Sequence, residues 1–538
     1  MKCYLFIIGM CLLTLFTSAQ IRVKPLTLKP LYASNCKAIK ILYADTSIGV
    51  ILGENYSTDL NPIYYNFQVV HYNGKTKYYK INNYNSEFKR NLVIDHAFYY
   101  QGKIILFGRK SDSKNLTYAC IYDTSGIIVV PWKHIPEILT VNDQRGVRNL
   151  DKMLKGNITF SGASKNLNKN LVSTIIQSLS GDHFMVANSS WNGLSISKYD
   201  LRLSNVLKTN ITIPNTKVKD LLDVVYDGEY VHFAFTGTFN DASDKEIFTM
   251  ICSYKPSNEV SRIIILKKAT QVIKNAILKS NKDGGFAFAG FYNEPEEPKI
   301  NRILVTQCEG NSDTVTYESK LKIPEMQNLY LDGKKPFVRD FIYLMKPTSI
   351  YRRDDGGLYI VTEEYFTRTA DETHESKDFV RSTYSGNSRT DHYEVTSYTT
   401  QYGQNYIRDC WVISLDSAGR NIINTRISKF HFHFDHHEEY SSYNTSMINN
   451  KLFVFFNNHK DNFKPKNEKR LQVMFKPKIA ALHLKVFSAD GSTNSQILQT
   501  TANSKKEVIQ PSLFYNNSQQ GIFLLMGYKI LTPVQIRM

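Results

Sequence analysis

"DGEYVHFAFTG" (residues 227–237) sets an Asp-Gly turn directly ahead of a run of aromatic and β-branched residues that closes on a small one. A turn dipeptide followed by such a run is the signal of a strand entered from a hairpin. The pattern recurs as "SIGVILGEN", "QGKIILFGR", "GDHFMVANS", "DGGFAFAGF", "DGGLYIVTE", "NNKLFVFFN" and "QQGIFLLMG", starting near residues 47, 101, 181, 283, 355, 449 and 519. Self-similarity at a spacing of tens of residues marks a repeat architecture.

A second pattern follows most of the first: an apolar strand that ends in an aromatic slot and then a polar turn. It reads "VVHYNGK", "ACIYDTSG", "SISKYDLRL", "ICSYKPSN", "VTQCEGNSD", "VISLDSAG" and "LKVFSADG", and its slot holds Tyr72, Tyr122, Tyr199, Tyr254, Cys308, Leu415 and Phe487. A further strand often comes next, such as Arg262 to Leu266. Each unit then supplies four antiparallel strands in about 50–70 residues, the content of a β-propeller blade. The chain reads as all-β: a propeller of about eight four-stranded blades, alternatively seven, with a two-domain β protein as the remaining option. The stretch 154–166, "LKGNITFSGASKN", looks like an extra strand pair in the third unit. The last unit is short by a strand and "IRVKPLTLKP" is an orphan strand, so the N-terminal strand is expected to complete the last blade and remove an exposed edge.

The first twenty residues, "MKCYLFIIGMCLLTLFTSAQ", read as a signal peptide: Lys2, an apolar run from Tyr4 to Phe16, and small residues at 17–19. The expected organisation is a signal peptide at 1–19 and one propeller domain at 20–538. No later stretch is apolar for long enough to form a membrane-spanning helix. The remaining cysteines, Cys36, Cys120, Cys252, Cys308 and Cys410, are odd in number and far apart, which is not a disulfide framework. The net charge is +17, but no Lys/Arg run is dense enough for a nucleic-acid stripe.

"DGG" before an apolar strand, "LDSAG" after one, and the Ala19-Gln20 cleavage site resemble the β-propeller repeat proteins exported by Bacteroidota. The resemblance implies an exported protein of the cell envelope. Its C-terminal residues read as blade strands rather than as that group's sorting domain, which favours the periplasm over the cell surface or medium.

In a four-stranded meander the second-to-third-strand loops and the crossings between blades share one face. Three unusual segments fall there: insertions at about 365–406 and 457–478, and the crossing 430–440, "FHFHFDHHEEY". Alternation puts His431, His433, Asp435 and His437 on one side of a strand and Phe430, Phe432 and Phe434 on the other. Imidazoles two residues apart can share a Zn or Fe ion, with Asp435 completing the set. The simpler alternative packs the phenylalanines inward and leaves the histidines in water. His374 and His392 are further candidate ligands within the first insertion. Lys464, Lys466, Lys469 and Arg470, beside Phe463 and Phe475, make the second insertion a candidate docking surface. The acidic loop 293–299 is a third candidate on this face.

Nucleophile elbow, phosphate-binding glycine loop, His-Glu-x-x-His and Cys-x-x-Cys are all missing. The expected function is non-catalytic recognition of an envelope protein or glycan, with no cofactor and no nucleic acid. The alternative is a Zn- or Fe-dependent hydrolase or lyase acting on polysaccharide, with its site at 430–440.

Overall fold

The computed structural model describes residues 21–22, 36–45, 47–56, 62–71, 75–85, 90–110, 117–138, 158–162, 171–177, 182–190, 193–239, 246–257, 260–269, 273, 275–281, 285–294, 297–309, 317–322, 345–385, 388–429, 431–434, 443–459, 462, 480–500, 509–517, 522–527 and 531–536. Among them there is no α-helix, and the strands form eight antiparallel sheets. The expected signal peptide lies outside the described residues.

The first sheet is a meander of Cys36–Ala44, Ile48–Tyr56, Pro62–His71 and Thr76–Ile81. The fourth repeats it with Thr216–Tyr226, Val231–Phe239, Ile247–Lys255 and Val260–Ala269, and the fifth with Asn275–Ser280, Phe286–Glu294, Glu297–Cys308 and Tyr317–Lys322. The sixth comprises Met345–Arg352, Leu358–Ser385, Ser388–Leu415 and Asn421–Ile427, and the seventh Tyr443–Ile448, Lys451–His459, Ala480–Phe487 and Thr493–Thr500. Three sheets gain a fifth strand: Tyr84–Asn85 joins the second, Ile158–Gly162, inside the stretch read as an extra strand pair, pairs with Leu171–Gln177 of the third, and His431–Phe434 pairs with the third strand of the sixth. In the eighth, Ile509–Asn517, Ile522–Gly527 and Leu531–Ile536 are joined by Ile21–Arg22, with Ile21 opposite Ile536.

Each recurring apolar run is one strand, and the slot read as aromatic, filled by Cys308 and Leu415 in two sheets, lies at the end of the next. Tyr254 pairs with Val231, Cys308 with Phe286, Leu415 with Leu358 and Phe487 with Leu452. These slots are buried, so a slot side chain covers the start of the neighbouring strand, where a meander would otherwise leave a gap.

Consecutive sheets stack through shared apolar cores. Phe98, Ile105 and Phe107 of the second meet Phe184, Val186 and Tyr199 of the third, and Tyr359 and Val361 of the sixth meet Leu452 and Val454 of the seventh. Strand Ile509–Asn517 touches both Tyr443–Ile448 of the seventh sheet and Cys36–Ala44 of the first, so the succession returns to its start. This is a β-propeller. First strands touch first strands, as Thr216–Tyr226 does Asn275–Ser280, while fourth strands such as Asn205–Ile211 alternate exposed and half-buried. First strands are therefore innermost. They carry bulges at Ala38/Lys40, Ile94/His96, Val218/Asp220 and Pro347/Ser349, which bend the crowded inner edge. Cys120, Cys252, Cys308 and Cys410 are buried thiols.

Candidate functional site

The sixth sheet departs from the meander. Its second and third strands are 28 residues each and stay paired from Leu358 opposite Leu415 out to Ser385 opposite Ser388. The first strand accompanies them only to Glu364 and the fourth only from Cys410, so the expected insertion 365–406 leaves the sheet as a two-stranded ribbon. About twenty residues at ~3.3 Å each give it a length on the order of 65 Å. Its composition explains the strand: Thr and Tyr recur along both arms.

The His-rich crossing zips onto the base of this ribbon. Strand His431–Phe434 pairs with residues 404–407, placing His431 opposite Ile407, His433 opposite Asn405 and Phe432 opposite Tyr406. His431 and Ile407 are both buried. His431 Nε2 lies 2.8 Å from the carbonyl oxygen of Asn457, on the second strand of the seventh sheet. The expectation of water-facing histidines is therefore corrected at His431: a buried carbonyl gives its ring a partner that phenylalanine lacks. Asp435, His437, Lys464, Lys466, Lys469 and Arg470 lie outside the described residues. Asn458 ties the same strand end to the crossing, its Nδ2 donating to Ser428 O at 3.0 Å while its Oδ1 accepts from Asn462 Nδ2 at 2.8 Å. In the acidic loop 293–299, Glu294 lies opposite Glu297.

Under the crossing lies a buried group of charges that sequence reasoning missed. Lys429 is fully buried and its Nζ pairs with Glu363 Oε1. Its backbone N–H donates to Asp409 Oδ1 at 3.2 Å, and Arg426 Nε donates to Asp409 Oδ2 at 2.6 Å. The Tyr443 ring lies 5.8 Å from Lys429 Nζ. Glu364 is buried beside Glu363 at the point where the ribbon departs. Burial pushes the neighbouring Cys410 thiol well up, Lys429 opposing and Glu363 and Asp409 adding to the shift. Burial likewise pulls the His483 imidazole, stacked 5.2 Å from Phe456, down to about 4. The available signal was carboxylates inside apolar strand patterns, "LYIVTEE" and "RDCWVISL".

The opposite face is built from short turns headed by aspartate. Asp45, Asp123, Asp227, Asp355, Asp416 and Asp490 each accept at least one backbone N–H of their own turn. Here His232 Nδ1 meets Ser253 Oγ at 2.8 Å, and its Nε2 stands 3.7 Å from Asp227 Oδ2. All three side chains are buried, so this Ser-His-Asp set is a pin that holds the turn to the third strand rather than a reachable nucleophile. Arg353 fills the same role in the sixth sheet, bonding Ser414 Oγ, Leu415 O and Asp355. Gly357 is required there, because a Cβ would collide with the Leu415 carbonyl and the Arg353 guanidinium.

Among the described residues, no group of three His, Cys, Asp or Glu is placed to hold a metal ion, and no helix is long and apolar enough to cross a membrane. No family model matches the chain, and no curated protein does. Among solved structures it is similar to the polysaccharide lyase Uly1 at 10% identity, over 89% of this chain and 94% of that one, with a TM-score of 0.36. It is similar to prolyl oligopeptidase B from Galerina marginata at 7% identity and a TM-score of 0.38, over 92% of this chain but 56% of that one. A third is the β-propeller domain of the Trilobed protease from Pyrococcus furiosus: 8% identity, 71% of this chain and 94% of that one, TM-score 0.32. Agreement at this level says nothing of what this chain binds or does.

Proposed function

We propose that the chain is an exported, non-catalytic binding or scaffold protein of the cell envelope, most simply periplasmic. It recognises a protein or glycan through the face that carries the ribbon, the crossing 430–440 and the loop 457–478. The observation that carries this reading is the ribbon: two 28-residue strands extended far beyond the sheet and tied at the base by the crossing. An extended strand pair adds nothing to a blade core, whereas its edges offer backbone groups and alternating side chains to a partner. The scaffold beneath it is read as an eight-bladed ring closed by the N-terminal strand. That count is supported by the eight sheets, the contact of the eighth with the first, and the Ile21–Ile536 pairing.

The test is a cross-linking pull-down from native envelopes, with a glycan array in parallel. Replacing residues 369–403 by an Asn-Gly turn, which joins the paired Arg368 and Gln404, shortens the ribbon without touching the blades. Binding should be lost while thermal stability is kept; retained binding would move recognition to another surface. Replacing Lys464, Lys466, Lys469 and Arg470 together by Ser should weaken capture of an acidic partner most at low salt, because screening acts over ~8–10 Å.

The rival reading, a Zn- or Fe-dependent hydrolase or lyase centred on His431, His433 and Asp435, has to work around the bond at His431. Its Nε2 donates to a carbonyl and so carries the proton, leaving only Nδ1 as a ligand atom. Stoichiometric metal in untagged protein, lost in His431→Ala/His433→Ala, would establish that reading over ours.

A further inference from the structure

We propose that the chain dimerises through the ribbon: the outer edge of its first arm, residues 365–385, pairs antiparallel with the same edge of a second copy. The inference rests on the backbone pairing and the charge order of the ribbon, not on what the ribbon face binds.

Past Glu364 the strand Leu358–Ser385 loses its neighbour on one side, where the first strand of the sheet ends. From Tyr365 to Ser385, among the described residues, the second arm is the only strand paired with it. The second arm differs, because the crossing covers its base at residues 404–407. An edge of this kind presents a row of backbone donors and acceptors to which another strand can add. Charged side chains usually guard such an edge, so their order decides whether a second strand fits and in which register.

In the first arm that order is self-complementary. Residues 371–381 read "DETHESKDFVR". Two copies laid antiparallel about Ser376 set Glu375 opposite Lys377 and Asp371 opposite Arg381, each twice by symmetry, and His374 opposite Asp378. No like charges meet. Among the antiparallel self-registers of residues 365–385, it is the only one with more than one such pair of opposite charges. The bulge between Phe379 and Arg381 shifts Arg381 by one residue at most, from Asp371 to Glu372, so it meets a carboxylate either way. The second arm, with Arg389 as its one cation between Ser388 and Tyr406, offers no comparable register.

The arrangement is isologous and closes at two copies. Ser376 stands about twelve residues beyond Glu364, ~40 Å, and about nine before the end of the arm, ~30 Å. Each tip therefore stops short of the other copy's blade, and the two propellers stand clear at opposite ends of a four-stranded sheet.

Analytical ultracentrifugation of the full chain over a range of micromolar concentrations should show a monomer–dimer equilibrium. Asp371→Lys/Glu375→Lys reverses half of the pattern and should weaken the dimer by ~30-fold or more, as should Lys377→Glu/Arg381→Glu. Mixed in equal amounts, the two double variants should dimerise again, because every charged pair between them is then complementary. The register has its own check: Ser376→Cys should give a disulfide-linked dimer on mild oxidation, and Thr396→Cys, opposite Ser376 on the second arm, should not. A dimer that survives in both double variants alone would place the interface elsewhere and overturn the proposal. So would a mixture that stays monomeric. A wild-type chain that is monomeric throughout, yet still captures an envelope partner, would overturn it and leave the proposed function standing.

Discussion

His431 and Asn457 are joined side chain to backbone, the imidazole Nε2 lying 2.8 Å from the carbonyl oxygen. The bond links the strand that zips the ribbon base to the second strand of the seventh sheet, so one histidine sets where the ribbon stands on the propeller. His431→Ala removes a buried donor and leaves the Asn457 carbonyl without it. We expect a loss of ~1–3 kcal/mol in urea denaturation. Limited proteolysis should also cut first near residues 404–407 and 431–434. His431→Gln, which can donate from its amide, should recover part of both; equal behaviour of the two variants would show that the bond is not what holds the strand.

The Lys429–Glu363 pair lies inside the protein, between the neck of the ribbon and the seventh sheet. Lys429→Met leaves a buried carboxylate uncompensated and should cost ~3–5 kcal/mol. Lys429→Met combined with Glu363→Gln should recover most of that loss, because the stranded charge disappears with its partner. Additive losses in the double variant, measured by chemical denaturation, would show that the pair is not coupled.

His483 is neutral and buried, with a pKa near 4 in place of about 6.5. Above pH 6.5 folded and unfolded chains hold the same number of protons at this ring. Between pH 6.5 and 4 the unfolded chain binds one more, so stability falls as pH falls, by ~3 kcal/mol at pH 4. His483→Phe should remove that share of the slope between pH 7 and 4. His96, lowered in the same direction, keeps its own share in the variant.

The turn aspartates act in a lower window. In Asp45, Asp227 and Asp355 burial raises the carboxyl, but hydrogen bonds from the turn outweigh it; in Asp123, Asp416 and Asp490 such bonds lead, and all six end below the usual range. A carboxylate lowered in the folded state adds stability that is complete above its unfolded pKa, about 3.9, and is lost as pH falls through the folded value. Acid unfolding should therefore steepen below pH 4. Asp227→Asn, which keeps an acceptor for the Glu229 and Tyr230 amides, should flatten that limb and unfold less than Asp227→Ala. Identical acid limbs in wild type and Asp227→Asn would remove this turn from the account.

Much of the fold was legible in the chain. A turn dipeptide, a short apolar run and a closing, mostly aromatic slot are local signals, each enforced by backbone sterics and by the two-residue period of a strand. They marked the strands of the sheets, the extra strand at 158–162 and the branch point of the ribbon. The pairing of the crossing with residues 404–407 was not legible, because register between segments distant in sequence leaves no local trace.

What the sequence by itself determined is the repeat and the face on which the long segments emerge, since strand order in a meander follows from chain direction alone. Only the tertiary structure decided which side chains that face buries. Periodicity sent the phenylalanines of 430–434 inward and the histidines to water, yet His431 is inside because a carbonyl of the next sheet meets it there. The same holds for Lys429 with Glu363, a pair 66 residues apart in the chain. A charge buried in a core is stabilised by a partner distant in the chain, and that partner is chosen by packing rather than by the residues beside it in the sequence.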